Sequence, residues 1–153
     1  MCGIVGGVTN KIITPLLLEG LKRLEYRGYD SSGLIVLSPQ NSFDRARSLG
    51  KVSNLEKNLK SRNKKINGNI GIAHTRWATH GEPSEINAHP HKSQDSVYIV
   101  HNGIIENYVE LREYLKKEGY EFISQTDSEL IAHLLDFYIN SSYRICALKF
   151  FFC

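Results

Sequence analysis

Hydrophobic residues fall into short runs and helical stripes along the chain, and this pattern predicts a domain that mixes strands with helices. A few apolar residues in succession, bounded by turn formers, predict a buried strand. Such runs lie at residues 2–8, 34–37, 69–74 and 97–100. The segment 38–65 between them is polar and rich in lysine, and Val52, Leu55 and Leu59 predict a short surface helix within it.

The first predicted helix lies between the first two strand candidates. Thr14 followed by Pro15 is typical of an N-cap and the first helical residue, because proline tolerates that position. The leucines that follow at helical spacing are Leu17, Leu21 and Leu24. Arg27-Gly28 closes the segment.

Two more helices are predicted in the second half of the chain. Residues 106–118 carry an apolar stripe, and Gly119 is the expected C-terminal stop. The stripe consists of Tyr108, Leu111 and Leu115. Thr126 and Glu129 fit a capping box ahead of a second stripe. That stripe consists of Leu130, Ile131, Leu134 and Leu135. Strands that come first in pairs, with helices interspersed, predict a mixed α/β or α+β domain.

Composition restricts the class of protein further. A chain of 153 residues with 41% hydrophobic and 23% charged residues is an ordinary globular domain. The 19 basic and 16 acidic residues leave a net charge of only +3, which does not favour nucleic acid as a partner. No apolar run approaches the ~20 residues that span a bilayer, and the N-terminus lacks the basic start of a signal peptide. We therefore expect a cytoplasmic protein without a membrane partner. Its three cysteines do not form a disulfide framework.

The first candidate for chemistry is Cys2, directly after the initiator methionine. Removal of that methionine would leave a cysteine with a free α-amine, whose ordinary pKa is about 7.7–8.0. One residue would then supply both the thiol nucleophile and the base. The alternative is a buried cysteine that merely begins a strand.

A second candidate is the polar segment 24–33, which follows the first predicted helix and contains Arg27. Without other information it is typical of a helix C-terminus and loop, with the arginine at the negative end of the helix dipole.

The segment 74–81 leaves a strand and offers several polar groups to a ligand. The Arg76 guanidinium could hold a carboxylate through two bonds, and Thr79 and His80 could bind the same ligand. The alternative is that Arg76 pairs with a structural carboxylate and that Trp77 lies in the core.

Asn102 and Gly103 follow the strand candidate 97–100. A side-chain amide beside a glycine N–H offers the two donors of an oxyanion hole. The alternative is a plain Asn-Gly turn between strands. Five histidines crowd the same half of the chain: His74, His80, His89, His91 and His101. Because no carboxylate or cysteine stands at a familiar metal spacing beside them, no metal site is predicted.

Together these motifs resemble the glutaminase domain of glutamine–fructose-6-phosphate aminotransferase over nearly all of residues 2–139. The stretches that carry the resemblance are 1–6, 24–33, 74–91, 101–108 and 126–129. Other class II glutamine amidotransferases share the N-terminal cysteine but usually differ in the segment 24–33. The resemblance implies an α+β fold of the N-terminal-nucleophile class, a four-layer αββα sandwich.

The resemblance also implies an activity, the hydrolysis of glutamine to glutamate and ammonia without a cofactor. Cys2 would form the thioester, with Arg27 supporting that end of the pocket. Asn102 and Gly103 would stabilise the oxyanion. Arg76 would hold the α-carboxylate of glutamine, and Asp127 would hold its α-ammonium. The other implied substrate-binding residues are Trp77, Thr79 and His80, and Gly103 would line the substrate pocket as well.

The resemblance stops before the end of the chain. Residues 2–140 are expected to form an incomplete glutaminase domain, and 141–153 a divergent tail that reflects a lost reading frame or a broken gene. The two isomerase domains of the family, which bind fructose 6-phosphate, are absent from this sequence. The full-length enzyme is expected to be a homo-oligomer.

Because the second sheet is expected to be incomplete, it would have unpaired edges and exposed apolar surface, and we predict that the chain folds poorly by itself. The alternative is that the terminal phenylalanines cover the open edge of the sheet. At the level of function, the alternative to a glutaminase is a non-catalytic fragment that is inactive or binds full-length subunits.

Overall fold

The computed structural model describes residues 2–63, 65–77, 81–94 and 96–140, together with the backbone of 150–152. The strands are β1 (Gly3–Val8), β2 (Ser31–Leu37), β3 (Phe43–Leu49), β4 (Ile70–Arg76), β5 (His91–Ser93), β6 (Val97–Val100) and β7 (Phe150–Phe152). The helices are α1 (Thr14–Leu24), α2 (Val52–Ser61), α3 (Tyr108–Lys117) and α4 (Ser128–Asn140), with a 3₁₀ turn at Glu25–Arg27. Within these residues, no helix has the length and apolar character that a membrane span requires.

The strands form two sheets. The first has the order β1-β4-β2-β3 and is antiparallel throughout, and the second has the order β5-β6-β7. In the second sheet β5 pairs antiparallel to β6, whereas β7 pairs parallel to it.

Alternation along the strands creates a layered core. In β2, Leu34 and Val36 face a cluster formed with α1 and α2, whereas Ile35 faces the second sheet. In β6, Tyr98 and Val100 face the first sheet, whereas Val97 and Ile99 pack against α4. Because successive side chains of a strand point to opposite faces, each central strand supplies two cores. The result is four layers in the order helices, sheet, sheet, helices.

The apolar runs predicted the central strands well, but two polar strands were missed. β3 lies within the polar segment 38–65, where the pattern predicts no strand, because Asp44, Arg45 and Arg47 interrupt its apolar positions. It is the edge strand of the first sheet, where charged side chains are tolerated and discourage further pairing. β5 has only three residues and is held by β6 and α4, so tertiary contacts rather than hydrophobicity make it a strand.

Two helix starts differ in detail from the prediction. α1 begins at Thr14 itself, with Ile13 as N-cap, and the Thr14 hydroxyl donates to the Ile66 carbonyl instead of capping the helix. The predicted capping box before α4 is wrong, because Thr126 and Glu129 bond to other partners. The Thr126 N–H donates to the Ser124 hydroxyl, and Glu129 accepts from the backbone of the preceding loop. The predicted stop of α3 is confirmed, since Gly119 follows it with a φ of 90°.

The apolar stripe of α4 packs on the second sheet. Ala132 belongs to a core cluster with two β6 residues, and Ile131, Leu135 and Ile139 lie against that cluster. Of the segment 141–153, the backbone of β7 continues this sheet beside β6, while residues 141–149 and 153 lie outside the described residues. Whether the chain folds stably by itself stays a prediction.

Candidate functional site

One end of the two sheets gathers the polar strand termini. Because β1 and β2 both run antiparallel to β4, their first residues lie beside the end of β4, with Gly3 opposite Thr75 and Ser31 opposite Arg76. The segment that follows β6 reaches the same place, since the Asn102 amide approaches the Cys2 carbonyl at 3.4 Å. Residues from distant parts of the sequence therefore meet at this end.

These termini surround an open cleft of about 570 Å³. Its lining residues are Cys2, Arg27, Arg76, Trp77, His89, His101, Asn102, Gly103, Ile104, Thr126, Asp127 and Ser128. The volume falls within the range of about 300–1,000 Å³ common for small-molecule sites. All the described residues that the sequence singled out for the pocket line this one cleft. Thr79 and His80, also predicted there, lie outside the described residues.

Cys2 presents a free, half-buried thiol to the cleft. Its Sγ accepts a hydrogen bond from the Trp77 backbone N–H at 3.2 Å. The thiol also donates to the Trp77 carbonyl at 3.6 Å, so both backbone groups of Trp77 hold the sulfur in place. Gly3 lets this end of β1 approach its neighbours, since a Cβ there would lie 2.8 Å from the Leu24 side chain and 2.9 Å from the Thr75 hydroxyl.

Asn102 and Gly103 lie between β6 and α3, so the alternative of a hairpin turn between two strands is wrong. The Asn102 Oδ1 lies 2.7 Å from Nε2 of His74, and its amide nitrogen points toward Cys2. A Cβ at Gly103 would lie 2.7 Å from Nε2 of His101, so a side chain there would displace the His101 ring. The arrangement places an amide donor and a glycine N–H in the same cleft as the thiol.

The Arg76 guanidinium is buried at the end of β4, with only 4% of the residue exposed. It donates to the carbonyls of Gly81 at 3.1 Å and Glu82 at 3.3 Å, and it lies 3.7 Å from the Asp30 carboxylate. Arg76 therefore does have a structural carboxylate beside it, and it also lines the cleft. These bonds hold the cation in one position and link it to the loop that follows Trp77.

Trp77 is 52% exposed, so the alternative that placed it in the core is wrong. Its ring packs on Gly28, where an added Cβ would come within 2.4 Å of the ring and where φ is +94°. Only glycine adopts this conformation without strain and leaves room for the indole. Arg27, one residue earlier, is exposed and contributes a second cation to the cleft.

Asp127 precedes α4 and is 94% buried, as its exposed fraction is 6%. Its Oδ2 accepts the Ile105 backbone N–H at 2.9 Å, which fixes the carboxylate. The neighbouring Glu129 is held by the Ser124 hydroxyl and by backbone donors of the same loop. The cleft thus contains an anchored anion and an anchored cation.

Three buried histidines pack side by side behind the cleft. The ring centroids of His74 and His89 lie 4.0 Å apart in a stacked arrangement, and those of His89 and His91 lie 4.5 Å apart, edge to face. Burial lowers the pKa of His74 to about 4 and holds the pKa values of His89 and His91 well below 6.5. All three rings are therefore neutral at neutral pH. Among the described residues, no His, Cys, Asp or Glu cluster has the arrangement of a metal site.

The structure adds cleft residues that the sequence did not single out. His89 lines the cleft just before β5 begins, with its ring stacked on His74 of β4, and Ser128 lines it because it begins α4 beside Asp127. For Ser128 the sequence did contain a signal, since this residue lies within the motif at 126–129. For His89 the sequence offered only a local excess of histidine.

Comparisons with known proteins show the family to which this chain belongs. A family model described as a glutamine amidotransferase domain matches residues 51–150. Glutamine–fructose-6-phosphate aminotransferase of Pseudomonas aeruginosa is 57% identical over 141 residues, and that of Haemophilus influenzae is 56% identical over 142 residues. The two alignments cover 92% and 93% of this chain. The chain spans only 23% of the length of each of these relatives.

Solved structures support the fold. Glutamine phosphoribosylpyrophosphate amidotransferase from B. subtilis matches with a TM-score of 0.69 and 25% identity, over 88% of this chain and 28% of that chain. A structure described as the allosteric regulatory enzyme of purine biosynthesis matches equally well, with a TM-score of 0.69 and 26% identity over 88% of this chain and 29% of its own. The predicted α+β, N-terminal-nucleophile sandwich is confirmed. By fold, by sequence and by the cleft at the end of its two sheets, this chain belongs to the glutamine amidotransferase domain family.

Proposed function

We propose that this chain hydrolyses glutamine to glutamate and ammonia, with Cys2 as the nucleophile. The observation that carries the proposal is that one cleft holds a free thiol, an anchored guanidinium and an anchored carboxylate. Free glutamine is a zwitterion with a carboxamide at its far end, so it needs a cation, an anion and a reactive group held apart. Cys2, Arg76 and Asp127 supply these three groups.

In the proposed complex, Arg76 binds the α-carboxylate of glutamine through charge-assisted hydrogen bonds. Asp127 binds the α-ammonium from the other side. Both groups are buried and already hydrogen-bonded to the protein, so little side-chain entropy is lost when the substrate binds. We also assign to this pocket the backbone at Trp77 and the side chains of Thr79 and His80.

The reaction begins when the free α-amine of Cys2, exposed by removal of Met1, takes the thiol proton. The thiolate attacks the carboxamide carbon, and the carbonyl electrons move to oxygen. Asn102 Nδ2 and the Gly103 N–H stabilise that oxyanion. The ammonium formed at Cys2 returns its proton to the leaving nitrogen, and ammonia departs from a thioester. A water molecule then attacks the thioester, releasing glutamate and the thiol. Arg27 supports the Cys2 end of the cleft as a nearby cation.

The place of this reaction in a larger process is also a proposal. Relatives that extend well beyond this chain are named glutamine–fructose-6-phosphate aminotransferase. We propose that residues 2–140 provide the glutaminase part of such an enzyme, that 141–153 form a divergent tail, and that fructose 6-phosphate is bound by isomerase domains outside this sequence. The full-length enzyme would be a homo-oligomer. We place it in the cytoplasm, where a reducing environment keeps the Cys2 thiol available.

The experiment combines an activity with a mass measurement on the 153-residue protein. Release of glutamate and ammonia from glutamine is measured, and intact mass is recorded before and after treatment with a glutamine-analogue electrophile. We expect a mass without Met1, one added label and turnover. Cys2→Ser is expected to lose both label and turnover. The matched control, Cys146→Ser with Cys153→Ser, should retain both.

Three results would contradict the proposal. Retained Met1 would remove the base, and a label that survives Cys2→Ser would place the reactive thiol elsewhere. A folded protein that neither labels nor turns over glutamine would favour the alternative of a non-catalytic fragment.

A further inference from the structure

His74 is a buried side chain that the proposed reaction does not use. It lies on β4, is 0% exposed, and its Nε2 is 2.7 Å from Oδ1 of Asn102. It does not line the cleft. Packing alone does not explain why His74, which is buried outside the cleft, makes a short hydrogen bond to the Asn102 amide that faces Cys2.

The surroundings of Asn102 fix the direction of this hydrogen bond. The Asn102 amide lies between His74 on one side and the Cys2 carbonyl on the other. A carbonyl oxygen only accepts, so the NH₂ group of the amide faces Cys2 and its oxygen faces His74. Since the amide oxygen also only accepts, His74 donates through an Nε2–H. A flipped amide would place its oxygen against the Cys2 carbonyl.

We propose that His74 is a positioning residue, whose Nε2–H locks the Asn102 side chain with its NH₂ group toward the reacting centre. This inference rests on the proposed function, because it assigns the role of Asn102 as oxyanion donor. Without the histidine, the Asn102 side chain, which is exposed to the cleft, can rotate or flip its amide. An amide oxygen turned toward the oxyanion would repel it rather than stabilise it.

Two features hold the histidine in its donating form. The stacked His89 ring, 4.0 Å away with an interplanar angle of 29°, restricts rotation of the His74 ring. Burial, together with the nearby charge of Arg76, keeps His74 neutral at working pH, although the hydrogen bond to Asn102 favours its charged form. A neutral imidazole carries one proton. Because Nδ1 of His74 is buried and has no hydrogen-bond partner among the described residues, that proton lies on Nε2, opposite the Asn102 oxygen.

The kinetic test compares His74→Phe with His74→Gln. Phenylalanine keeps the ring that stacks on His89 but has no donor, whereas glutamine has an N–H close to the position of Nε2. We expect kcat for glutamine hydrolysis to fall roughly 10- to 100-fold in His74→Phe, part of the ~100- to 1,000-fold loss typical of removing an oxyanion donor. KM should change little, and His74→Gln should recover most of kcat. His133→Phe, which removes an equally buried histidine outside the cleft, should keep normal kcat.

A double-mutant cycle separates positioning from a general structural effect. If His74 acts through Asn102, His74→Phe should cost less than ~3-fold in kcat when Asn102→Ala is already present. Equal losses in both backgrounds would overturn the proposal, as would equal kcat in the phenylalanine and glutamine variants.

A measurement that needs no turnover keeps this proposal distinct from the proposed function. Nitrogen-15 NMR of the histidine rings in the wild-type chain reports which nitrogen carries the proton. We expect the Nε2–H form for His74 and a shift of that resonance in Asn102→Ala. A His74 protonated on Nδ1 alone would overturn the positioning role. An inactive wild type with the expected NMR result would contradict the proposed function and retain this hydrogen bond.

Discussion

Lowering the pH from about 7.5 to 4.5 should destabilise this protein strongly, because three histidines are buried in neutral form. His74, His89 and His91 are at most 4% exposed, and burial is the main cause of their lowered pKa values. The Arg76 guanidinium lies in the same region, and its positive charge lowers the pKa values of His74 and His89 further.

The magnitude follows from the difference between the folded and unfolded pKa. In the unfolded chain His74 has its ordinary pKa of 6.5, and in the folded protein about 4. Between these two values the unfolded state binds a proton that the folded state excludes. Stability is therefore fully present above about pH 6.5 and is lost as the pH falls toward 4. At about 1.4 kcal/mol per pH unit, His74 alone costs about 3 kcal/mol. That is a large part of a typical total of about 5–15 kcal/mol.

Urea unfolding followed by far-UV circular dichroism at several pH values measures this effect. The free energy of unfolding should fall as pH decreases, with a slope of up to about 1.4 kcal/mol per pH unit for each excluded proton. His91→Gln is the matched variant, since glutamine can still bond to the Thr126 hydroxyl that lies 3.0 Å from Nε2 of His91. In this variant the free energy of unfolding should fall less steeply with pH, by up to about 1.4 kcal/mol per pH unit, which is the contribution of one excluded proton. Stability that does not change between pH 6.5 and 4.5, or an unchanged slope in this variant, would refute the reasoning.

The remaining predictions concern substrate binding and the tail. Glutamine binding is measured by calorimetric titration in a Cys2→Ala background, which prevents turnover. Arg76→Ala should weaken this binding by roughly 2–5 kcal/mol, because the α-carboxylate of glutamine would then be buried without its charged partner. Asp127→Asn should weaken binding similarly while the thermal melt stays near the wild type, because the amide oxygen can still accept the Ile105 N–H. Unchanged affinity in both variants would remove these two roles. The 153-residue chain should melt more broadly, and aggregate more in size-exclusion chromatography, than a chain extended by the segment that follows in its relatives. A monodisperse protein with a sharp melt would contradict this last prediction.

Much of the layer structure could be predicted from hydrophobic pattern. β6 was predicted with its observed bounds, and the apolar runs 69–74 and 34–37 found the first part of β4 and the second half of β2, because central strands need large buried side chains. β1 was also found almost completely, although it is an edge strand. β3 could not be found in this way. An edge strand has one exposed face and gains its place from pairing with β2, which no local pattern reveals.

The sequence alone also singled out Cys2, Arg76, Asn102 and Asp127, and all four line the same cleft, whereas their roles in a reaction stay predictions. It did not establish their surroundings. For Arg76 the sequence offered two alternatives, a ligand-binding cation or a partner of a structural carboxylate. The structure has both, since Arg76 lies 3.7 Å from the Asp30 carboxylate and also lines the cleft. His74 entered the sequence analysis only as one of several histidines considered for a metal.

What the sequence determined by itself was therefore a set of candidate reactive groups and the strands and helices with strong apolar patterns. Tertiary structure decided how those groups meet. Antiparallel pairing brings the start of β1 to the end of β4, and the second sheet brings Asn102 to both. The protonation and hydrogen-bond direction of His74 depend on burial and on partners 28 positions away, because a side chain's pKa and its choice of donor or acceptor are set by what surrounds it in space.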